Sequence, residues 1–272
     1  MSTVPGRVLV FGALGRMGEW VRAALGEEPT LTLGAALEAP DHPGLGSQID
    51  GVQVGADLKA AVESVDLAIG FATPSSSLQL LRACAGGGKP CVVGTTGFDD
   101  AQRDEIDALA AHLPVVLAAN FSVSVNVLFH LAREAARQLG EGFDAEIVEL
   151  HHAAKVDAPS GTALRLASAV AEGRDQGQGR LVLAREGETG ARPAGVIGIQ
   201  ALRGGDNPGE HTLLLVGQGE RLELTHRSST RDHFARGAVR AAVWVRAQGP
   251  GLYDMEQVLG LRPGAGKSPS GG

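Results

Sequence analysis

The chain has 272 residues, 43% hydrophobic and 4% aromatic, with 39 glycines and a formal net charge of −7. That length allows one large or two modest domains with real cores, and no apolar run is long enough to span a bilayer. Net negative charge and scarce aromatic residues argue against nucleic acid or an anionic membrane as partner.

Residues 8–11 (Val-Leu-Val-Phe) form a short continuous apolar run, the pattern of a buried parallel strand. The run begins almost at the N-terminus and is too short for a signal peptide, so a cytoplasmic location is expected. Helical spacing follows over 15–25 (Met17, Trp20, Val21, Ala24, Leu25). Further strands are predicted at 31–37, 65–71, 90–93 and 115–118, with helices around 76–85 and 100–111. Cys84 and Cys91 fall in this stretch; they lack metal-site spacing and read as small core residues in a reducing compartment, so no metal is expected. Strands alternating with helices of this length predict an α/β fold with a Rossmann-like, doubly wound parallel sheet.

The pattern then shifts. Residues 124–139 read as one longer amphipathic helix, 144–150 as a strand and 162–171 as an apolar helix. A Gly- and Gln-rich loop over 173–179 precedes three strand-like runs at 194–202, 211–216 and 221–226. Strands joined by short turns predict a second domain of α+β type with a mixed or antiparallel sheet. A closing helix is predicted at 234–245, and the Pro/Gly/Ser-rich residues 262–272 are expected to be disordered. The predicted division is 1–122, rejoined by 232–261, for a dinucleotide-binding domain, and 123–231 for a substrate-binding and oligomerisation domain.

Gly12-Ala13-Leu14-Gly15-Arg16-Met17-Gly18 follows the first strand and opens the first helix. A dinucleotide loop wants one glycine at the tight turn, one for close approach of the pyrophosphate and one for helix packing. Here they fall at the first, fourth and seventh positions. Glu38, twenty residues after Gly18 at the end of the second strand, can accept hydrogen bonds from ribose hydroxyls and would repel a 2′-phosphate. Ala39 follows it, so no adjacent arginine receives such a phosphate, although Arg16 could do so from the other side. NADH is the expected cofactor, with NADPH tolerated. Gly94-Thr95-Thr96-Gly97 and Ala118-Ala119-Asn120-Phe121 follow later strand ends, where open α/β sheets bind ligands; taken alone, both also read as ordinary turns.

The densest chemistry lies in His151-His152-Ala153-Ala154-Lys155-Val156-Asp157-Ala158-Pro159-Ser160-Gly161-Thr162. An imidazole can carry a proton near neutral pH, and a lysine supplies a positive point charge. A helix opening at Ser160 offers unpaired N–H groups and the positive end of a dipole, suited to a carboxylate or phosphate. The expectation is a loop between strand and helix that binds a small anion and moves a proton.

These blocks, with Glu149-Leu150 before the histidines, Arg185-Glu186-Gly187, Gly209-Glu210-His211-Thr212 and Gly219-Glu220-Arg221-Leu222-Glu223, resemble the dihydrodipicolinate reductases over nearly the full chain. The resemblance implies reduction of 4-hydroxy-tetrahydrodipicolinate in the diaminopimelate route to lysine, by a homotetramer built through the substrate-domain sheets. It implies hydride to ring C4 and a proton to C3. His151 is the implied acid, with Lys155 stabilising negative charge and sharing in proton donation. His152, Lys155, Ser160, Gly161 and Thr162 would hold the substrate carboxylates. Gly12, Ala13, Leu14, Gly15, Arg16, Met17, Glu38, Gly94, Thr95, Thr96, Ala118, Ala119, Asn120 and Phe121 would line the cofactor. Asp157 is expected to orient Lys155 or the turn. Two rivals stand beside this reading: another two-domain dehydrogenase, which has no need of the paired histidines beside Lys155, and a non-catalytic dinucleotide sensor, which has no need of a proton donor.

Overall fold

The computed structural model describes residues 4–177 and 179–262. In chain order its elements are β1 (Gly6–Phe11), α1 (Arg16–Glu27), β2 (Leu31–Leu37), β3 (Gln48–Ile49), β4 (Val52–Gly55), α2 (Leu58–Glu63), β5 (Leu67–Gly70), α3 (Pro74–Gly87), β6 (Cys91–Val93), α4 (Asp100–Ala110) and β7 (Pro114–Leu117). They continue with α5 (Val123–Leu139), β8 (Asp144–His151), α6 (Gly161–Gly173), β9 (Arg180–Val182), β10 (Val196–Arg203), β11 (Glu210–Val216) and β12 (Arg221–Arg227). The last are α7 (Asp232–Val245), β13 (Gly251–Tyr253) and α8 (Met255–Val258). The chain divides into two compact units, one of residues up to Val123 together with those from Asp232 onward, the other Ser124–Arg231. Among the described residues no helix is long and apolar enough to cross a membrane.

The first unit is a sheet in the order β13-β7-β6-β5-β1-β2-β4-β3. All its neighbours pair parallel except β3 with β4. From β1 the chain passes to β2 on one side and later to β5 on the other, so the order reverses between β1 and β5. Both faces are covered, which is why β5 and β6 are buried along their whole length. Val8, Val10, Leu67 and Ile69 share one core with Val21 of α1 and Ala238 and Val245 of α7. Leu9, Ala68, Cys91 and Val93 share the other with Val62 of α2, Leu80 of α3 and Ile106 of α4.

The second unit is a five-stranded sheet in the order β12-β11-β8-β10-β9. Here β8 runs parallel to β10 and antiparallel to β11, so the sheet is mixed. Along β8 burial alternates strictly, and Ala145, Ile147, Glu149 and His151 face the covered side. Ile147, Ile197, Leu213 and Leu215 pack there against Phe129 of α5 and Leu166 and Val170 of α6.

The sequence reading omits the β3–β4 hairpin, α2, β9, β13 and α8, all of six residues or fewer. The hairpin was visible in Asp50-Gly51, whose positive φ values of 49° and 79° suit a tight two-residue turn. Helix α6 runs to Gly173, into the stretch expected as loop. Of the tail expected to be disordered, 263–272 lies outside the described residues, while Arg262 is paired with Glu256 at 2.8 Å.

Truncation at the centre of the second core tests this packing. Ile147, with no exposed surface, is expected to cost about 2–5 kcal/mol when replaced by Ala, read as a lower urea midpoint. A change below about 0.5 kcal/mol would contradict it.

Candidate active site

In the first unit the sequence-predicted cofactor residues lie at the carboxyl ends of strands. Gly12 turns off β1 with φ +80°, and its N–H and that of Ala13 both donate to the Leu37 carbonyl, at 2.9 and 3.1 Å. A Cβ on Gly18 would fall 2.1 Å from the Gly12 carbonyl oxygen, so only glycine lets α1 pack so close to the loop. Gly15 and Arg16 are exposed at the start of α1, and Met17 is half-buried. Glu38, just after β2, accepts the Leu14 N–H at 2.7 Å through Oε1. The acid thus also braces the loop, a contact the sequence did not foretell. The Leu14 side chain packs toward Gly44, where a Cβ would meet its Cδ1 at 2.3 Å.

At the ends of β6 and β7 the residues divide into those exposed and those that support them. Thr95 is buried, its hydroxyl 2.6 Å from Ser77 Oγ and donating to the Ala72 carbonyl at 2.9 Å. Phe121 is 2% exposed and stacks edge-on against Phe71 at 5.6 Å between centroids. Thr96 and Ala119 are exposed; Gly94, Ala118 and Asn120 are half-buried. The Asn120 carboxamide oxygen accepts the Ser122 N–H at 2.8 Å.

In the second unit His151 is the last residue of β8, not a loop residue as expected: β8 continues one residue further because its partner in β10 register is Arg203. The loop proper starts at His152, whose N–H donates to the Asn207 carbonyl at 2.8 Å. Lys155 Nζ donates to both carboxylate oxygens of Asp157 at 2.8 Å. The Ala158–Pro159 peptide is cis, and Ser160 caps α6 by accepting the Ala163 N–H at 3.1 Å. Gly161 is exposed and Thr162 half-buried in the first turn. Ser160 itself is 2% exposed, with its N–H donated to Glu149 at 3.1 Å and its hydroxyl 3.0 Å from His211 Nε2. It shapes the helix start instead of offering a donor to a ligand.

Three residues given no role in the sequence reading complete the arrangement. Glu149 has no exposed surface and lies 2.5 Å from His151 Nδ1 through Oε2. Arg203 donates to both of its oxygens, at 2.8 and 3.0 Å, and to the Asp157 carbonyl at 2.7 Å. His211, paired with Glu149 across the antiparallel register, sets its ring edge-on to His151 at 5.2 Å. Period-2 alternation carried the signal: an acid and a histidine occupy strand positions whose same-face neighbours are apolar, so both are buried and need partners.

Burial pushes the Glu149 carboxyl up, but the hydrogen bonds from Arg203, His151 and the Ser160 N–H outweigh it and hold the group below the usual carboxylate range. Burial lowers the His151 imidazole below its ordinary value. Glu149 pulls it up, and Lys155 and Arg203 pull it further down. His211 is lowered to about 4, first by burial and then by the charge on His151. Among the described residues its Nδ1 has no hydrogen-bond partner. The arrangement sets the Lys155–Asp157 pair and the N-terminus of α6 near an imidazole held by a buried carboxylate.

The family model for the dihydrodipicolinate reductase N-terminus matches residues 6–121, and that for its C-terminus matches 124–259. The chain is 48% identical to a 4-hydroxy-tetrahydrodipicolinate reductase of Syntrophotalea carbinolica and 46% identical to that of Geotalea daltonii; each match covers 94% of this chain and 99% of the relative. Among solved structures it is similar to a dipicolinate-bound dihydrodipicolinate reductase from Paenisporosarcina sp. TG-14, with a TM-score of 0.77 and 28% identity, over 92% of this chain and 98% of that one.

The buried His211 makes stability depend on pH. The unfolded chain takes up this proton at the ordinary 6.5 and the folded chain only near 4. Between those values the unfolded state holds more protons, so stability falls as pH falls, by roughly 1–3 kcal/mol over that window. Urea unfolding at a series of pH values is expected to show a shallower slope in His211→Gln than in the parent; equal slopes would contradict the assignment.

Proposed function

The chain belongs to the dihydrodipicolinate reductase family, and from that membership we propose how it divides the reduction of 4-hydroxy-tetrahydrodipicolinate between its two units. It is an NAD(P)H-dependent oxidoreductase of lysine and diaminopimelate biosynthesis. The observation that carries the site assignment is the convergence of His151 at the end of β8, Lys155 on the loop that follows and the N-terminus of α6, tied together through Glu149.

The first unit fits a dinucleotide. The Gly12–Gly18 turn leaves no room for a Cβ on its last glycine, and the exposed start of α1 suits a pyrophosphate. Gly12, Ala13, Leu14, Gly15, Arg16, Met17, Gly94, Thr96, Ala118, Ala119 and Asn120 would surround the cofactor, with Thr95 and Phe121 holding the two outer loops in shape. Glu38 has one carboxylate oxygen on Leu14 and its other oxygen for ribose, which favours NADH over NADPH. When bound, the nicotinamide supplies a hydride to ring C4.

The second unit supplies the anion seat and the proton. The first turn of α6, at Gly161 and Thr162, with the Lys155 ammonium and the His152 imidazole, holds a doubly charged substrate. An ammonium has three N–H donors, so Lys155 can keep Asp157 and still meet a carboxylate. His151 donates a proton to C3. Burial lowers its proton affinity in the free enzyme, and an incoming dianion raises it.

The same unit carries an oligomerisation surface. The side of its sheet away from α5 and α6 presents Val148, Leu150, Leu202 and Leu214, with Leu202 half-exposed. Homotetramer assembly through this face suits that apolar character.

With substrate generated in place by the preceding synthase, NADH is expected to support faster turnover than NADPH; the reverse order would overturn the reading of Glu38 and Ala39. His151→Gln is expected to lower kcat by about 100- to 10,000-fold while cofactor binding persists. Because the acid must be protonated and its free-enzyme value lies below 6.5, kcat/KM should fall as pH rises through that lower value, and His151→Gln should lack this limb. Sedimentation velocity is expected to report a smaller species for Leu202→Arg than for the parent tetramer; an unchanged assembly would place the interface elsewhere.

A further inference from the structure

We infer that Glu149 is the positioning residue of this reduction, fixing the proton of His151 on Nδ1 so that Nε2 is the nitrogen that meets the substrate. The inference rests on the reading of His151 as the proton donor, and adds to it which nitrogen acts and what holds it there.

The tautomer follows from the partners of one carboxylate. Glu149 receives the two guanidinium N–H groups of Arg203, at 2.8 and 3.0 Å, and the Ser160 N–H at 3.1 Å. Three donors aimed at a carboxylate without exposed surface keep it ionised, and an ionised carboxylate only accepts. The atom 2.5 Å from its Oε2 is His151 Nδ1, which must therefore be the donor. In the neutral ring Nε2 is then the bare nitrogen, and in the charged ring it carries the proton that can leave. The proton departs from Nε2, the N–H bonding pair stays on nitrogen, and the enamine π pair forms the new C–H bond. Glu149 stays ionised throughout.

The surroundings of Nε2 agree. A Cβ on Gly209 would come within 2.9 Å of that nitrogen, and Gly209 has φ +147°, a conformation side-chain-bearing residues rarely adopt. A side chain there would crowd this edge of the ring, while His211 backs the ring edge-on at 5.2 Å. Arg203 has a second consequence. By neutralising Glu149 it keeps the carboxylate from locking the imidazole in its charged form, so the acid releases its proton as well as binding it. The groups that act on this imidazole are Glu149 on its own strand, Arg203 on β10, His211 on β11 and Lys155 on the loop, with His226 of β12 acting on His211.

The direct test uses the complete, unmodified protein labelled with 15N-histidine, with the His151 signals identified by their loss in His151→Gln. Above the titration of the ring, a protonated Nδ1 and a bare Nε2 are expected; a protonated Nε2 with a bare Nδ1 would overturn the inference, and this readout needs no variant at Glu149. In kinetics Glu149→Gln is expected to lower kcat by about 10- to 100-fold with little change in KM. Its alkaline limb should move to lower pH, because the ring loses a negative partner, whereas Arg203→Gln should move it to higher pH. A fault of folding alone would not shift the two limbs in opposite directions. Parent-like kcat and pH profile in Glu149→Gln, with His151→Gln inactive, would overturn the positioning role and leave the proton donor in place. Full turnover by His151→Gln would overturn the donor and the positioning role together.

Discussion

A charged carboxylate removed from water has to be met by donors from every side, and the working end of the second unit is built around one such group. Glu149 gathers His151 from its own strand, Arg203 from β10 and the Ser160 N–H from the start of α6. A buried ion left unpaired costs several kcal/mol, so these partners are constrained together. Through Ser160 the constraint reaches the N-terminus of α6, and through the Arg203 contact with the Asp157 carbonyl it reaches the loop that carries Lys155. One buried charge thereby sets the direction of the imidazole, the position of the α6 N-terminus and the path of the loop between them.

The first unit solves a different problem by backbone geometry. Its parallel strands end at one rim, where the chain reverses between β1 and β5, and the Gly12–Gly18 turn brings the start of α1 to that rim without side chains in the way. Here too an acid braces the loop: Glu38 takes the Leu14 N–H, so the residue expected to meet the ribose also fixes the turn. Discrimination against a 2′-phosphate would then come from a charge held in place by the loop it serves.

Much of this was legible in the residues. Continuous apolar runs marked β1, β5 and β6 because strands buried on both faces need no polar alternation, and Pro159-Ser160 marked the start of α6. The misses share one physical reason. Arg203 and His211 lie 54 and 62 residues beyond Glu149 and meet it only through strand register, which short-range patterns do not encode. Short elements such as β9 and β13 take their shape from the strands beside them. His151 fell on a strand and not a loop because pairing with Arg203 extends β8 by one residue.

The most direct measurement is a crystal structure of the full chain with pyridine-2,6-dicarboxylate. The account expects one carboxylate of the ligand at the Gly161–Thr162 start of α6, Lys155 close to its charge, and His151 still held by Glu149 with Nε2 turned toward the ring. A ligand bound away from this helix start, or an imidazole swung off Glu149 to meet it, would contradict the claim that one buried carboxylate aligns the proton donor with the anion seat.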